Sequence, residues 1–570
     1  MENTAYFEEY RRWLSSSALT EEERAELSAL DDNEIKERFF APLSFGTAGL
    51  RSTMGLGAGL MNRFTVGQAT QGLANALLEL QKGHKGVIIA YDCRIGSPEF
   101  AKLAAEILAG NNIPVLLFDG MRPTPLLSFA LLRRGCAAGI NITASHNPKE
   151  YNGYKVYSED GAQLSDENVA LVSAKIRETD LFTGVKRMDF DRAVRKGWIT
   201  LIGAEDDEAF MEAVLSNRLR PEATESSDLR VVYTPFHGTG ASFVPQVLER
   251  AGLSHVFCQE EQMKPDGTFP SVKSPNPEEK ESFALAIELA REKDVDLIIG
   301  TDPDADRVGI VVRDQSGEYV ALTGNQTGIL LMDYLIRSRQ EKGTMPKKPA
   351  FVTTIVTSRM AQAVCDYHKI RLAYSFTGFR FIAGITDELE REGYTSLMGY
   401  EESYGYLIGS HCRDKDAVTA SLLIAEMAAW YDQQGMTLHD AMEKLYETYG
   451  YFVDETISVR MPGTNGSAAM AKLMEDLRAN PPKEIGGFAV SGVRDYQTGV
   501  YRSEGGEEAL PLKNSNVLSF ELSDGSAFIV RPSGTEPKIK FYLLTKNDSK
   551  EEGQAKVARL VEAAKAITQA

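Results

Sequence analysis

Short apolar runs alternate with longer stretches of helical periodicity along most of this chain, and nearly every run opens into a polar loop. That order restricts the chain to α/β units, sheets with helices packed on their faces. In the first unit the periodicity predicts strands over 86–90, 114–118 and 137–140, with helices over 98–109 and 125–134. In the second it predicts strands over 230–233 and 296–299, with a helix ending near 251. The third begins near 322, with a helix over 326–339, a strand over 351–356 and helices over 418–431 and 438–446. From about 451 the order changes to strands at 456–460, 517–522, 527–530 and 538–544, with helices at 467–477 and from about 551. The expectation is three α/β domains with mixed sheets plus a C-terminal α+β domain, bounded 1–205, 206–321, 322–448 and 449–570. The charge-rich stretch 205–228 reads as the first domain junction. The first forty residues read as helical, with Thr20 and Glu23 spaced as a capping box.

A chain of 570 residues is too long for one core, which supports the multidomain reading. The net charge of −19 disfavours nucleic acid or an anionic membrane as the main partner, so any phosphate site has to be a local basic pocket. The five cysteines are scattered without zinc or disulfide spacing, as expected in a reducing cytosol. Cys412 reads as packing. No signal-peptide pattern and no bilayer-length apolar run is visible, so the expected location is cytoplasmic.

The loops carry the chemistry. Ser145 and His146 follow the apolar run 137–140, where α/β sheets bind ligands, and Pro148 with Asn152-Gly153 reads as the turn that closes their loop. A serine there, beside His146 and ahead of Lys155, is placed to carry a covalent group; the triplet Ser-His-Asn alone is equally a turn cap. Asp302, Asp304 and Asp306 follow the second unit's strand at alternate positions. Three carboxylates so close need a cation, and hard oxygen ligands suit Mg²⁺; a solvated acidic turn is the plainer alternative. An EF-hand is excluded, because Arg307 and Arg313 stand where its glycine and glutamate are required. Arg307 is placed to balance a phosphoryl group, and Arg51, after the glycine-framed 45–49 loop, to clamp an anion. Arg531, Ser533, Gly534, Thr535 and Lys538 form a candidate anion cup without Walker A spacing. Glu401 and Ser403 suit vicinal hydroxyls, and Lys415 is a candidate general acid/base. His237 reads as a ligand contact or as a loop histidine bonded to backbone.

Taken together, Thr143 to Pro148, Asp302 to Arg307, Glu401 to Ser403 and Arg531 to Thr535 resemble, in order, the four signature loops of the α-D-phosphohexomutase superfamily. Residues 45–51, Thr377-Gly378-Phe379 and Arg413 to Asp416 resemble its bacterial phosphoglucomutase and phosphopentomutase branch. The resemblance implies a heart-shaped four-domain enzyme around a central cleft. It implies a phosphoserine at Ser145, with Mg²⁺ held by that group and by Asp302, Asp304 and Asp306. His146 and Lys155 flank the serine, and Lys415 matches the lysine proposed as general base. Thr377, Gly378, Glu401 and Ser403 then select the sugar, while Arg531, Ser533, Gly534, Thr535 and Lys538 hold its other phosphate. Arg380 departs from the usual lysine and is kept as a binding candidate. The implied reaction interconverts glucose 1-phosphate and glucose 6-phosphate, with glucose 1,6-bisphosphate as intermediate and activator. The same loops fit a phosphopentomutase or phosphomannomutase, and more remotely a non-catalytic sugar-phosphate sensor. A Ser-His hydrolase is disfavoured by the missing G-x-S-x-G elbow. The implied partners are small sugar phosphates, with the chain a monomer or weak dimer and no nucleic acid or membrane involved.

Overall fold

The structure, a computed structural model, describes residues 5–46, 49–461, 466–533 and 538–569. It divides into two compact units, one built on the chain up to Gly324 with Ser403–Thr437, the other on Asn325–Glu402 with Leu438 onward.

The first unit holds two mixed sheets. In one, the strand order is Leu50–Thr53, Tyr151–Ser158, Ala138–Ile142, Val87–Tyr91, Val115–Phe118, Ile199–Ile202. The last three pairings are parallel and the first two antiparallel. Central strands such as Val87–Tyr91 are almost wholly apolar because helices cover both faces. The second sheet runs Tyr319–Leu322, Val308–Arg313, Leu297–Thr301, Arg230–Thr234, His255–Cys258. Thr20 caps the helix Glu21–Ser28 through the expected reciprocal box with Glu23. Trp13, Phe39, Phe64 and Phe182 then pack edge to face and bind these N-terminal helices to the first sheet's unit.

One sequence expectation changes. Asn152 and Gly153 do not form a turn; they lie inside the strand Tyr151–Ser158, antiparallel to Ala138–Ile142. Gly153 is required by close approach instead, since a Cβ there would sit 2.4 Å from the Thr143 carbonyl oxygen. The charge-rich stretch 205–228 is mostly helical. It forms the helices Ala204–Leu215 and Pro221–Glu225, and Phe210, Met211 and Val214 bury one face of the former.

The helix Ala417–Asp432 is buried almost all round and packs against Ala204–Leu215, Pro221–Glu225 and Val244–Arg250 in the first unit. Its nearly uniform apolar sequence follows from that placement. The segment just before it, which carries Asp414 and Lys415, is thereby fixed in the first unit.

In the second unit the strands Arg371–Ser375, Pro349–Thr354 and Thr395–Glu401 pair in parallel. A C-terminal antiparallel sheet runs Tyr451–Arg460, Lys538–Asn547, Ala527–Pro532, Leu518–Leu522, Phe488–Asp495, Val500–Ser503, Gly506–Ala509. The helices Gly466–Ala479 and Lys550–Gln569 cover it over a core that includes Met474, Phe520, Phe541 and Leu560. Among the described residues no helix is long and apolar enough to cross a membrane.

Candidate active site

Ser145 lies just past the end of Ala138–Ile142, buried and in the left-handed region at φ 50°. A non-glycine residue there costs about 1 kcal/mol, so the loop has to be held from outside. Arg94 does this. Its buried guanidinium donates to the carbonyls of Ser145 at 2.6 Å, Asn147 at 2.5 Å, Pro148 at 2.9 Å and Tyr151 at 3.0 Å. Asp92 at 3.4 Å and the Phe269 ring hold Arg94 in turn. The Thr143 hydroxyl accepts from the Ser145 N–H.

The Ser145 hydroxyl donates to Asp302 Oδ2 at 2.6 Å and lies 3.1 Å from His146 Nδ1. Burial, followed by Arg307 and Arg51, holds the His146 imidazole well below its usual pKa, so it is neutral near pH 7. Arg51 extends from Leu50–Thr53 and donates to Asn147 Oδ1. Arg307 pairs with Glu278 Oε1 at 2.7 Å.

Asp302, Asp304 and Asp306 converge after Leu297–Thr301, with one carboxylate oxygen from each within 4.8 Å of the others. Backbone amides of Asp306 and Arg307 donate to Asp302 Oδ1. Asp304 Oδ2 accepts from Thr124 Oγ1 and Lys155 Nζ, both at 2.8 Å. Asp306 Oδ2 faces Lys155 at 3.3 Å and Lys415 at 3.1 Å. Lys415 also lies 3.1 Å from Asp414, whose other oxygen accepts from Tyr157 and Gln163.

This set fits a divalent cation. Asp304 Oδ1 and Asp306 Oδ1 are buried without a hydrogen-bond partner. Burial, then the charges of Asp304 and Asp306, pushes the Asp302 carboxyl well above the usual range. Burial raises Asp306 as well, but Lys415, Lys155 and Arg307 outweigh it and hold that carboxyl low. A hard cation among the three would relieve the repulsion and give the orphaned oxygens a partner.

The second unit carries the other candidates. Gly378, at φ 117°, starts the helix Phe379–Arg391, a backbone angle that favours glycine. Thr377 precedes it, and the Arg380 guanidinium lies over the Phe381 ring. Glu401 ends the strand Thr395–Glu401 and is buried. Ser403 opens the returning segment of the first unit. Arg531 Nη1 donates to Tyr542 OH at 3.4 Å, and the Ser533 amide donates to the Lys538 carbonyl. Gly534 and Thr535 lie outside the described residues.

Burial and the adjacent Glu401 charge push the Glu402 carboxyl up to about 7, against the pull of Lys540 and Arg531. A carboxyl raised on folding contributes stability that is present below its ordinary pKa and lost as pH rises through the folded value. Glu402→Gln removes that loss. The variant is expected to match wild type near pH 4 and to exceed it by up to about 3 kcal/mol near pH 8. Urea unfolding at the two pH values checks this, and equal midpoints at both would contradict it.

Comparison with known proteins follows the same geometry. Phosphoglucomutase/phosphomannomutase α/β/α domains I, II and III match residues 42–182, 208–317 and 323–449. A phosphoglucomutase from Staphylococcus haemolyticus is 38% identical over 520 residues, covering 91% of this chain and 93% of that protein. The chain belongs to the phosphoglucomutase/phosphomannomutase family. Solved structures share its fold. A phosphoglucomutase/phosphomannomutase family protein from Burkholderia thailandensis aligns with TM-score 0.66 and 17% identity, over 91% of this chain and 97% of that one. The open form of pp63/parafusin, a phosphoglucomutase from Paramecium, aligns with TM-score 0.67 and 17% identity, over 93% and 95%. The family's three α/β/α domains are followed here by the sheet-rich C-terminal domain.

Several residues around this family's serine loop escaped sequence reasoning: Arg94, Thr124, Tyr157 and Asp414. Arg94 and Asp414 are charged groups buried by partners distant in the chain, which leaves no local pattern. Thr124 opens the helix Thr124–Arg134, and its partner Asp304 is distant in the chain. His237, 1 % exposed, contacts the Lys264 carbonyl and Ser271, which accounts for it as a backbone-bonded loop histidine.

Proposed function

We propose that this chain interconverts glucose 1-phosphate and glucose 6-phosphate through a phosphoserine at Ser145, with glucose 1,6-bisphosphate as intermediate and activator. The observation that carries the reading is the Ser145 hydroxyl, hydrogen-bonded to a buried three-aspartate loop that two lysines flank. Nothing about a merely structural turn calls for that concentration of charge.

In the proposed cycle the phosphoryl group on Ser145 passes to the free sugar hydroxyl. The bond from phosphorus to Oγ breaks and one to the sugar oxygen forms. The hydroxyl's proton passes by way of Lys415 to the departing Ser145 Oγ, which is left as the hydroxyl, and neutral His146 orients Oγ. Lys155 fixes Asp304 and Asp306. Arg307, now paired with Glu278, and Arg51 are the guanidinium groups that would meet phosphoryl oxygens. Asp302, Asp304 and Asp306 would hold Mg²⁺, which supplies charge neutralisation at the phosphoryl oxygens when bound. The bisphosphate then turns around and its other phosphoryl reloads Ser145. Thr377, Gly378, Arg380, Glu401 and Ser403 are assigned to the sugar. Arg531, Ser533, Gly534, Thr535 and Lys538 are assigned to the resting phosphate. The four domains are assigned to 1–205, 206–321, 322–448 and 449–570.

The test is a coupled assay for glucose 6-phosphate with Mg²⁺ and a trace of glucose 1,6-bisphosphate, run beside ribose 1-phosphate and mannose 1-phosphate. The reading expects chelator-sensitive turnover with the highest kcat/KM for glucose 1-phosphate. A higher value for another sugar moves the substrate while keeping the chemistry. No turnover of any sugar phosphate overturns the mutase assignment.

A further inference from the structure

The loop that presents Lys415 is closed at its base by a pair that the proposed mechanism does not use. His411 Nε2 lies 2.8 Å from Asp416 Oδ2, with the two side chains only 8% and 0% exposed. Asp416 is at the same time the N-cap of the helix Ala417–Asp432. Its Oδ1 accepts from the Val418 amide at 2.8 Å and the Thr419 amide at 3.0 Å, and its Oδ2 also accepts from Thr419 Oγ1. On the other side, the His411 ring packs near Phe210 and Phe129, with Nδ1 3.5 Å from Asn217 Nδ2 and Cys412 beside it.

Between the two members of the pair lie Asp414 and Lys415; Lys415 reaches Asp306 and pairs with Asp414. The next residue continues the connection, because the Ala417 amide donates to the Ala305 carbonyl at 3.2 Å, inside the aspartate loop. His411 is therefore tied by hydrogen bond to Asp416, and Asp416 by its peptide link to Ala417, whose amide bonds the loop of Asp302, Asp304 and Asp306.

The same three side chains, His411, Cys412 and Asp416, also lie close enough together to suggest a metal centre. Their hydrogen bonds argue otherwise: both Asp416 oxygens already serve the helix cap and the imidazole.

We infer that His411 is a positioning residue, a clasp that through Asp416 fixes Lys415 against Asp306 and steadies the aspartate loop. The inference rests on the mutase reading for its kinetic consequence, and on geometry alone for its effect on the cation site. Burial works against a charged imidazole here, but the hydrogen-bonded Asp416 carboxylate favours it and raises the His411 pKa above normal. The clasp is then an ion pair in a dry setting, where a hydrogen bond to charge is strong.

Two variants separate positioning from packing. His411→Phe keeps an aromatic ring beside Phe129 and Phe210 and deletes the donor; His411→Gln keeps a donor and deletes the ring. Loss of alignment at a reacting group costs about 10- to 100-fold in rate. His411→Phe is expected to lower kcat by about that factor at temperatures where the variant stays folded, with KM changed less than about threefold and a lowered melting midpoint, since Asp416 loses its buried partner. His411→Gln is expected to recover most of the kcat. Mg²⁺ binding, followed by calorimetry without substrate, is expected to weaken about 10-fold in the Phe variant only. Wild-type kcat together with wild-type Mg²⁺ affinity in His411→Phe overturns the inference, as does a Gln variant impaired as far as the Phe variant. Should the wild-type protein turn over no sugar phosphate, the mutase reading fails and the calorimetry alone decides the clasp.

Discussion

Ser145→Ala is expected to lose mutase turnover by about 10⁴-fold or more while remaining folded. The hydroxyl makes two short contacts, to Asp302 and His146, so its removal costs only about 1–2 kcal/mol of stability. The loop is held elsewhere, by Arg94 on four carbonyls, and alanine tolerates the same backbone angle about as well as serine does. What disappears is the only atom at this position able to carry the phosphoryl group. Added glucose 1,6-bisphosphate should not restore the activity, because no acceptor remains to be reloaded. The coupled assay and a urea melt on the same preparation check both halves. Full turnover in the variant would remove Ser145 from the mechanism, and a large drop in the urea midpoint would make the kinetic loss uninformative about chemistry.

Asp304→Asn carries the second large effect. The substitution keeps the side chain's shape and leaves an acceptor for Thr124 or Lys155, so the buried contacts at 2.8 Å survive in part. It removes one of three charges that face a common point and converts the orphaned Oδ1 side of the group into a weaker cation ligand. Hard divalent cations depend on carboxylate charge, so Mg²⁺ affinity is expected to fall about 100-fold or more, with a matching loss of rate at limiting metal. A Mg²⁺ titration of activity, with calorimetry alongside, reads both. A titration curve unchanged from wild type would exclude the aspartate loop as the cation site.

The positions of Ser145 and of the aspartate loop were legible because each follows an apolar strand directly, and a side chain at such a strand end has few places to go. Alternate spacing of Asp302, Asp304 and Asp306 brought the need for a cation into view before any coordinates. Asn152-Gly153 misled for a physical reason: the dipeptide favours turns locally, yet the glycine answers to the Thr143 carbonyl, a neighbour that the local sequence does not show. The helix Ala417–Asp432 was readable as a helix, but hydropathy says only that its faces are buried and not by what. Its docking on Ala204–Leu215 and its neighbours is what brings Lys415 to Asp306. Arg94 was invisible for the same reason, since a buried guanidinium looks like any other arginine until the carbonyls around it are known.

The central claim is that Ser145 carries the phosphoryl group during turnover. The most direct measurement is phosphopeptide mass spectrometry of protein incubated with glucose 1,6-bisphosphate carrying ¹⁸O-labelled phosphoryl groups and Mg²⁺, before and after a chase with unlabelled glucose 6-phosphate. The account predicts one labelled phosphoryl group on Ser145 after loading, replaced by an unlabelled one at the rate of turnover during the chase. Label on a different residue, or label that stays on Ser145 while product accumulates, would contradict it.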